Sequence, residues 1–319
     1  MLPALLPFVA VASTFDPGGA KLLGWSADGH YLVWTKTVIE SSMPEGEGEE
    51  EMYAEPTTDE TATVAIVRDV RRGDEQEFVL EYKAVSKTGR TKAALKTKLA
   101  KDGDAKAFEA WKKANPLTLV AGRKGPGKVD VVVKFTGDSA QYAGAAKWKG
   151  NSIKWTVEDS ATATLSVTCG KETRSVPLQQ QMEAMYAPTW TTTPYWDPTG
   201  HRVLFAMQEA QTKTMRGMDG GRTQYVIVAC GARVEVVAPP GLEAATGKVA
   251  DAVEKVAGYT VVSIGAAKQQ RPATVIYADT AHKDTAAPLA TAIPGGATVE
   301  KLDWKPQAEL VVAIGASAK

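Results

Sequence analysis

Short runs of alternating apolar and polar residues, separated by Gly, Pro, Asp and Asn turns, cover most of the chain. Examples are ATVAIVRDV, EQEFVLEY, KVDVVVKF, TATLSVTC, TQYVIVAC, ARVEVVAP, YTVVSI and ATVIYAD. A period of two turns one side of each run toward a core, and turns at this spacing predict an all-β sandwich, barrel or propeller. Runs paired across a few turn residues, such as TLSVTCGKETRSV and YVIVACGARVEVV, predict antiparallel hairpins. Two segments change to helical spacing. In residues 90–115, Leu95 and Leu99 stand on one side of Asp102-Gly103-Asp104, and Phe108 and Trp111 on the other. That spacing predicts two short helices, with Asp104 as N-cap of the second, Asn115-Pro116 as its stop, and Phe108 and Trp111 as packing residues. A further helix is predicted over 246–257, where Val249, Val253 and Val256 share a face and Gly258 caps the end. Both are read as helical insertions in the β pattern.

One strand-turn-strand unit recurs. Trp25-Ser-Ala-Asp-Gly-His-Tyr-Leu-Val aligns without gaps to Trp196-Asp-Pro-Thr-Gly-His-Arg-Val-Leu, and a weaker third copy begins at Trp304. A degenerate fourth surrounds Trp148. A turn-setting residue two places after Trp and a permissive Gly two further on precede a strand that alternates into a core. Trp25, Trp34, Trp196 and Trp304 are therefore expected to pack between strands. His30 and His201 hold the same place in two copies and are read as turn residues, while His282 lies in a polar loop without a readable partner.

These copies resemble the W-S-P-D-G-x-x-[LIV]-[AV]-[FW] unit of TolB-like and related WD-type β-propellers. The resemblance implies propeller-like antiparallel blades, irregular or incomplete because the copies are unevenly spaced, and a role in protein recognition. The order of elements is also similar to a family of predicted secreted bacterial proteins of unknown function. In that family a second unit precedes a strand of the type found here from Gly217 through Gly220 and Arg222 to Tyr225. Residues 14–319 are thus expected to form a propeller-like β domain with an acidic loop at 41–60.

The charge balance is even, 37 basic against 37 acidic side chains, which removes the electrostatic footprint of a nucleic-acid binder. The acidic loop and the basic stretch 83–113 are read as solvated surface. Met1 to Ser13 is uncharged, and Ala10-Val11-Ala12 has the form of a signal-peptidase site. Residues 1–13 are read as a short export signal, or else as a buried first strand. No stretch is apolar for the ~20 residues that a membrane helix needs. The expected location is the periplasm or the extracellular space. There the two cysteines, Cys169 and Cys230, would form a disulfide, the alternative being two inert buried thiols.

No phosphate loop, zinc-protease helix, nucleophile elbow or dinucleotide fingerprint is present, and no cofactor or metal is expected. Trp190 and Tyr195, in the Pro/Thr-rich APTWTTTPYWDP, are the candidate surface aromatics for binding. The reading favours a non-enzymatic binding or scaffold protein that recognises a protein or an envelope component. The alternatives are a hydrolase with its site in the propeller channel, and a structural subunit of a cell-surface assembly.

Overall fold

The computed structural model describes residues 13–15, 21–42, 58–86, 102–118, 132–136, 139–148, 151–159, 164–169, 172–178, 189–210, 222–284, 286–304 and 308–318. The expected export signal lies outside them apart from Ser13, as do residues 43–57 of the acidic loop and 90–101 of the first helical insertion. Ser13 opens strand β1 (Ser13–Phe15). The chain divides into two compact units: a smaller one of residues 17–69 and 74–119, and a larger one made of the remainder.

The smaller unit is one antiparallel sheet with a helix on it. Strands β2 (Lys21–Ser26), β3 (Tyr31–Ser42), β4 (Thr58–Asp69) and β5 (Glu75–Ser86) are followed by helix α1 (Asp102–Ala114) and the short β6 (Leu117–Thr118). The sheet order is β5-β4-β3-β2-β6. Phe108 of α1 is buried against Val33, Ala65, Val67 and Phe78, and Trp111 stacks on Phe108 and meets Tyr31 edge-on. The other face of the sheet carries Trp25, Leu32, Trp34 and Ile66, also buried. Phe108 and Trp111 thus pack as expected. Asp104 does not cap the helix, because α1 has already begun at Asp102. Its carboxylate instead accepts the Val79 N–H on the outer strand β5. The helix stops where expected: the Asn115 N–H and side-chain amide both donate to the Trp111 carbonyl, and Pro116 follows.

The larger unit begins as a sandwich. Strands β7 (Val132–Thr136), β8 (Ser139–Trp148), β9 (Asn151–Asp159), β10 (Thr164–Cys169) and β11 (Glu172–Pro177) form an antiparallel meander. Strands β12 (Thr189–Trp196), β13 (Arg202–Ala210) and β14 (Arg222–Ala229) form a second sheet, with β1 paired beside β14. Alternation drives the two sheets together. Ile153, Trp155, Val157, Leu165 and Val167 of the first share one core with Trp196, Val203, Phe205, Met207, Val226 and Val228 of the second. The Cys169–Cys230 disulfide closes that core between the sheets, with the cysteines 61 positions apart in sequence. Chain entropy alone assigns such a cross-link about 4 kcal/mol.

From Ala232 onward the architecture departs from the antiparallel β expectation. Strand β15 (Ala232–Ala238), helix α2 (Glu243–Glu254) and β16 (Tyr259–Ala266) form a parallel β-α-β unit. Strand β17 (Thr274–Ala278), helix α3 (Ala287–Ala292) and β18 (Ala297–Lys301) form another. The last strand, β19 (Leu310–Ala313), enters between them, parallel to β15 and antiparallel to β17. The order is β16-β15-β19-β17-β18. Val249 and Val253 of α2 and Leu289 of α3 pack on the Val234, Val236, Val261, Ile276 and Val312 face. The predicted helix is therefore present, but it runs Glu243–Glu254 with Lys255 rather than Gly258 at its cap, and it is no insertion. It is the crossover that a parallel pair requires, since a tight turn cannot join parallel strands. The protein is thus mostly β, with mainly antiparallel sheets and one mixed sheet.

The repeat maps onto this unevenly. The Trp25 and Trp196 copies are both hairpins, β2–β3 and β12–β13, with the tryptophans buried. Trp148 closes the β8–β9 hairpin opposite Asn151. The Trp304 copy is not a hairpin: β18 and β19 are separated in the sheet by β17, and Trp304 is 46 % exposed. The expectation that it packs between strands is corrected. Its segment lacks the turn glycine, with Ala308 in that place, and passes from one side of β17 to the other.

Candidate recognition surface

Trp304 is the one large apolar side chain left exposed among the described residues. It meets the Tyr277 ring edge-on, with centroids 4.8 Å apart. Tyr277 is itself buried on β17, on the face away from the helices, beside Val275, Val311, Ala313 and Leu302. The guanidinium of Arg271, in the loop before β17, lies 5.3 Å from the Tyr277 ring centroid. A buried tyrosine thus forms the floor for an exposed indole and holds a cation against its ring. Lys268 and Lys301 are exposed on the neighbouring loop and strand.

The two aromatics chosen from sequence lie elsewhere, on β12. Trp190 pairs with Glu209 in the backbone ladder, and its side chain is outside the described residues. Tyr195 is half-buried opposite Leu204, and burial pushes its phenol pKa up. Tyr225 is shifted the same way, by burial first and then by Tyr195.

A charge network ties the sandwich to the mixed sheet within the larger unit. Glu309, just before β19, accepts from Arg233 of β15 and from Arg174 of β11. Burial resists ionisation of Glu309, but the two guanidiniums hold its carboxyl below the usual range. Arg174 also donates to the Gly231 carbonyl, next to the disulfide. His282, which had no readable partner in the sequence, has two here. Its Nδ1 is 2.7 Å from Asp279, and its Nε2 is 3.6 Å from Glu172 of β11. The network joins side chains from distant parts of the chain, so no local pattern could announce it. Each carboxylate already serves a cation or the imidazole, which suits the cluster to fixing the junction rather than to proton transfer.

The other two histidines sit in turns. The His30 Nδ1 is 3.0 Å from Asp28, and the His201 carbonyl accepts the Cys230 N–H. One carboxyl stands apart: Glu235, on β15, is pushed up by burial and makes no ion pair among the described residues. No cluster of three or more metal-ligating side chains occurs among the described residues. No helix there is long and apolar enough to cross a membrane. No family model, curated protein or solved structure matches the chain.

Proposed function

We propose that this is an exported, non-catalytic binding protein that recognises a protein component of the envelope or its surroundings. The observation that carries the reading is the Trp304–Tyr277–Arg271 cluster. Trp, Tyr and Arg are the residue types most enriched at binding hot spots, and an exposed indole over a rigid buried ring loses little entropy on docking. The buried disulfide supports an oxidising compartment. The Trp25 and Trp196 hairpins and the antiparallel meanders support TolB-like, propeller-type blades as the framework, with the mixed sheet as an addition to them.

The test is capture from native envelope extract with wild-type protein and with Trp304→Ala in parallel. A partner retained by the wild type and lost by the variant, with unchanged melting temperature, is the expected result. Identical captured sets would overturn the reading. Glu235 favours a second reading, a hydrolase that uses a carboxyl whose pKa burial raises. Turnover of chromogenic ester or glycoside substrates, abolished by Glu235→Gln, would establish it in place of the first.

A further inference from the structure

We infer that β18 is a self-association edge, through which two copies of the chain pair antiparallel and extend the mixed sheet across a two-fold axis. Strand β18 ends the sheet order, bonded on one side only to β17. The Leu302 N–H donates to the Ala278 carbonyl of β17, so by alternation Thr298 and Glu300 also face β17. The N–H and C=O groups of Ala297, Val299 and Lys301 therefore point away from the sheet.

Two of the other outer strands have one such group occupied. On β5 the Val79 N–H is taken by the Asp104 carboxylate. On β16 the Ile264 N–H donates to the Arg71 carbonyl, in the part of the chain grouped with the larger unit. Among the described residues nothing comparable closes β18. An open row of backbone donors and acceptors specifies a protein occupant more narrowly than an apolar patch does, because only an extended strand pairs with the whole row.

The sequence of β18 is symmetric in the way that a self-pair needs. Outward groups must face outward groups, and a register centred on Val299 achieves this along the whole strand. Val299 then meets Val299 of the partner subunit, and Ala297 faces Lys301 of the partner subunit, making about six backbone hydrogen bonds. On the helix face the small Ala297 leaves room for the lysine stem. On the other face Thr298 lies opposite Glu300 of the partner subunit in a close pair, where a hydroxyl can donate to a carboxylate. Moving the register by one allowed step in one direction sets Glu300 against its own copy, and in the other direction sets Val299 opposite Ala297 of the partner subunit and leaves Lys301 without a partner; either step shortens the ladder. Charge and length together select the centred register. The contact is short, so association is expected in the micromolar range rather than as an obligate dimer.

Sedimentation velocity of the full chain over about 1–100 µM tests this. The expected result is a monomer–dimer equilibrium that Thr298→Glu weakens at least about tenfold through the like charge opposite Glu300, and that adding Glu300→Lys to that variant restores. Val299→Pro removes only an outward N–H and should also abolish the dimer. Because proline can disturb the strand, the rescue pair decides if that variant fails to fold. A monomer at every concentration, or a dimer indifferent to Thr298→Glu, overturns the inference. This outcome is independent of Trp304, which lies outside the paired strand.

Discussion

At the turn after Trp25, Ser26 donates its hydroxyl to Asp28; at the turn after Trp196, the acid sits two places earlier and Thr199 donates to Asp197. The same two positions carry the hydrogen bond, with donor and acceptor exchanged. The rest of the backbone pattern is kept. The Gly29 N–H bonds the Ser26 carbonyl, as the Gly200 N–H bonds that of Asp197, and both glycines have positive φ. The next N–H, of His30 or His201, reaches the side chain at the third position after Trp. What differs is the surroundings. Asp28 is half exposed, whereas Asp197 is fully buried beside Arg202. Arg202 takes the place that Tyr31 has in the first copy. The turn is thus a local solution that the chain uses twice, and burial decides whether its acid is a surface or an interior charge.

The largest test of that difference is at Tyr31 and Arg202. Arg202 is buried, reaches Glu254 and the Val261 carbonyl, and lies 3.7 Å from Asp197. Replacing Arg202→Met strands two buried carboxylates and should cost about 3–5 kcal/mol by denaturant unfolding. Tyr31→Phe, which keeps the ring contact with Trp111, should cost less than about 1 kcal/mol. Equal losses would mean that the two turns are anchored alike.

The second turn is also the one beside the disulfide, since Cys230 donates its N–H to the His201 carbonyl. The double variant Cys169→Ala with Cys230→Ala should lower the stability of the larger unit by about 2–5 kcal/mol. Hydrogen exchange should then speed up in β12–β14 and remain unchanged at β2–β3. Matching acceleration at the Trp25 hairpin would show that the disulfide supports both copies.

Gly29 and Gly200 measure what the copies share. A Cβ at positive φ is strained whatever the surroundings, so Gly29→Ala and Gly200→Ala should each cost about 1 kcal/mol, and by similar amounts. A large inequality would show that context, rather than the turn itself, requires glycine.

The sequence made this unit legible because every part of it is local. Trp, the turn residues, Gly and the following apolar run lie within one short window. The disulfide was half legible, because two cysteines in similar β-turn-β contexts allow a bridge but do not require one. The mixed sheet is not legible as a whole, although its parts are. A helix flanked by ARVEVVAP and YTVVSI is the pattern of a parallel crossover, but the dominance of hairpins elsewhere concealed it. Trp304 departs from its local pattern for the opposite reason. A partial match to the repeat suggested a hairpin, but the placement of β19 between β15 and β17 is set by non-local pairing that no window contains. The Glu309 network is a harder case still, because its members come from β11, β15 and the approach to β19.

The smallest test separates the two acids by pH. Half-burial works against ionisation of Asp28, but hydrogen bonds from His30 and Ser26 outweigh it and hold the carboxyl well below its usual range. The stability it contributes is present above the unfolded value near pH 4 and is lost as pH falls through the folded value. For Asp197 complete burial outweighs Arg202 and raises the pKa, so its contribution is greatest below the unfolded value and declines as pH rises through the folded one. Between about pH 5.5 and 2.5 the stability difference between wild type and Asp28→Asn should therefore shrink, while that between wild type and Asp197→Asn should grow. Solvent screening keeps the Asp28 change to roughly 0.5 kcal/mol or less. Opposite slopes from two copies of one turn would show that the interior, not the motif, sets the charge state; parallel slopes would mean that the turn sets it in both.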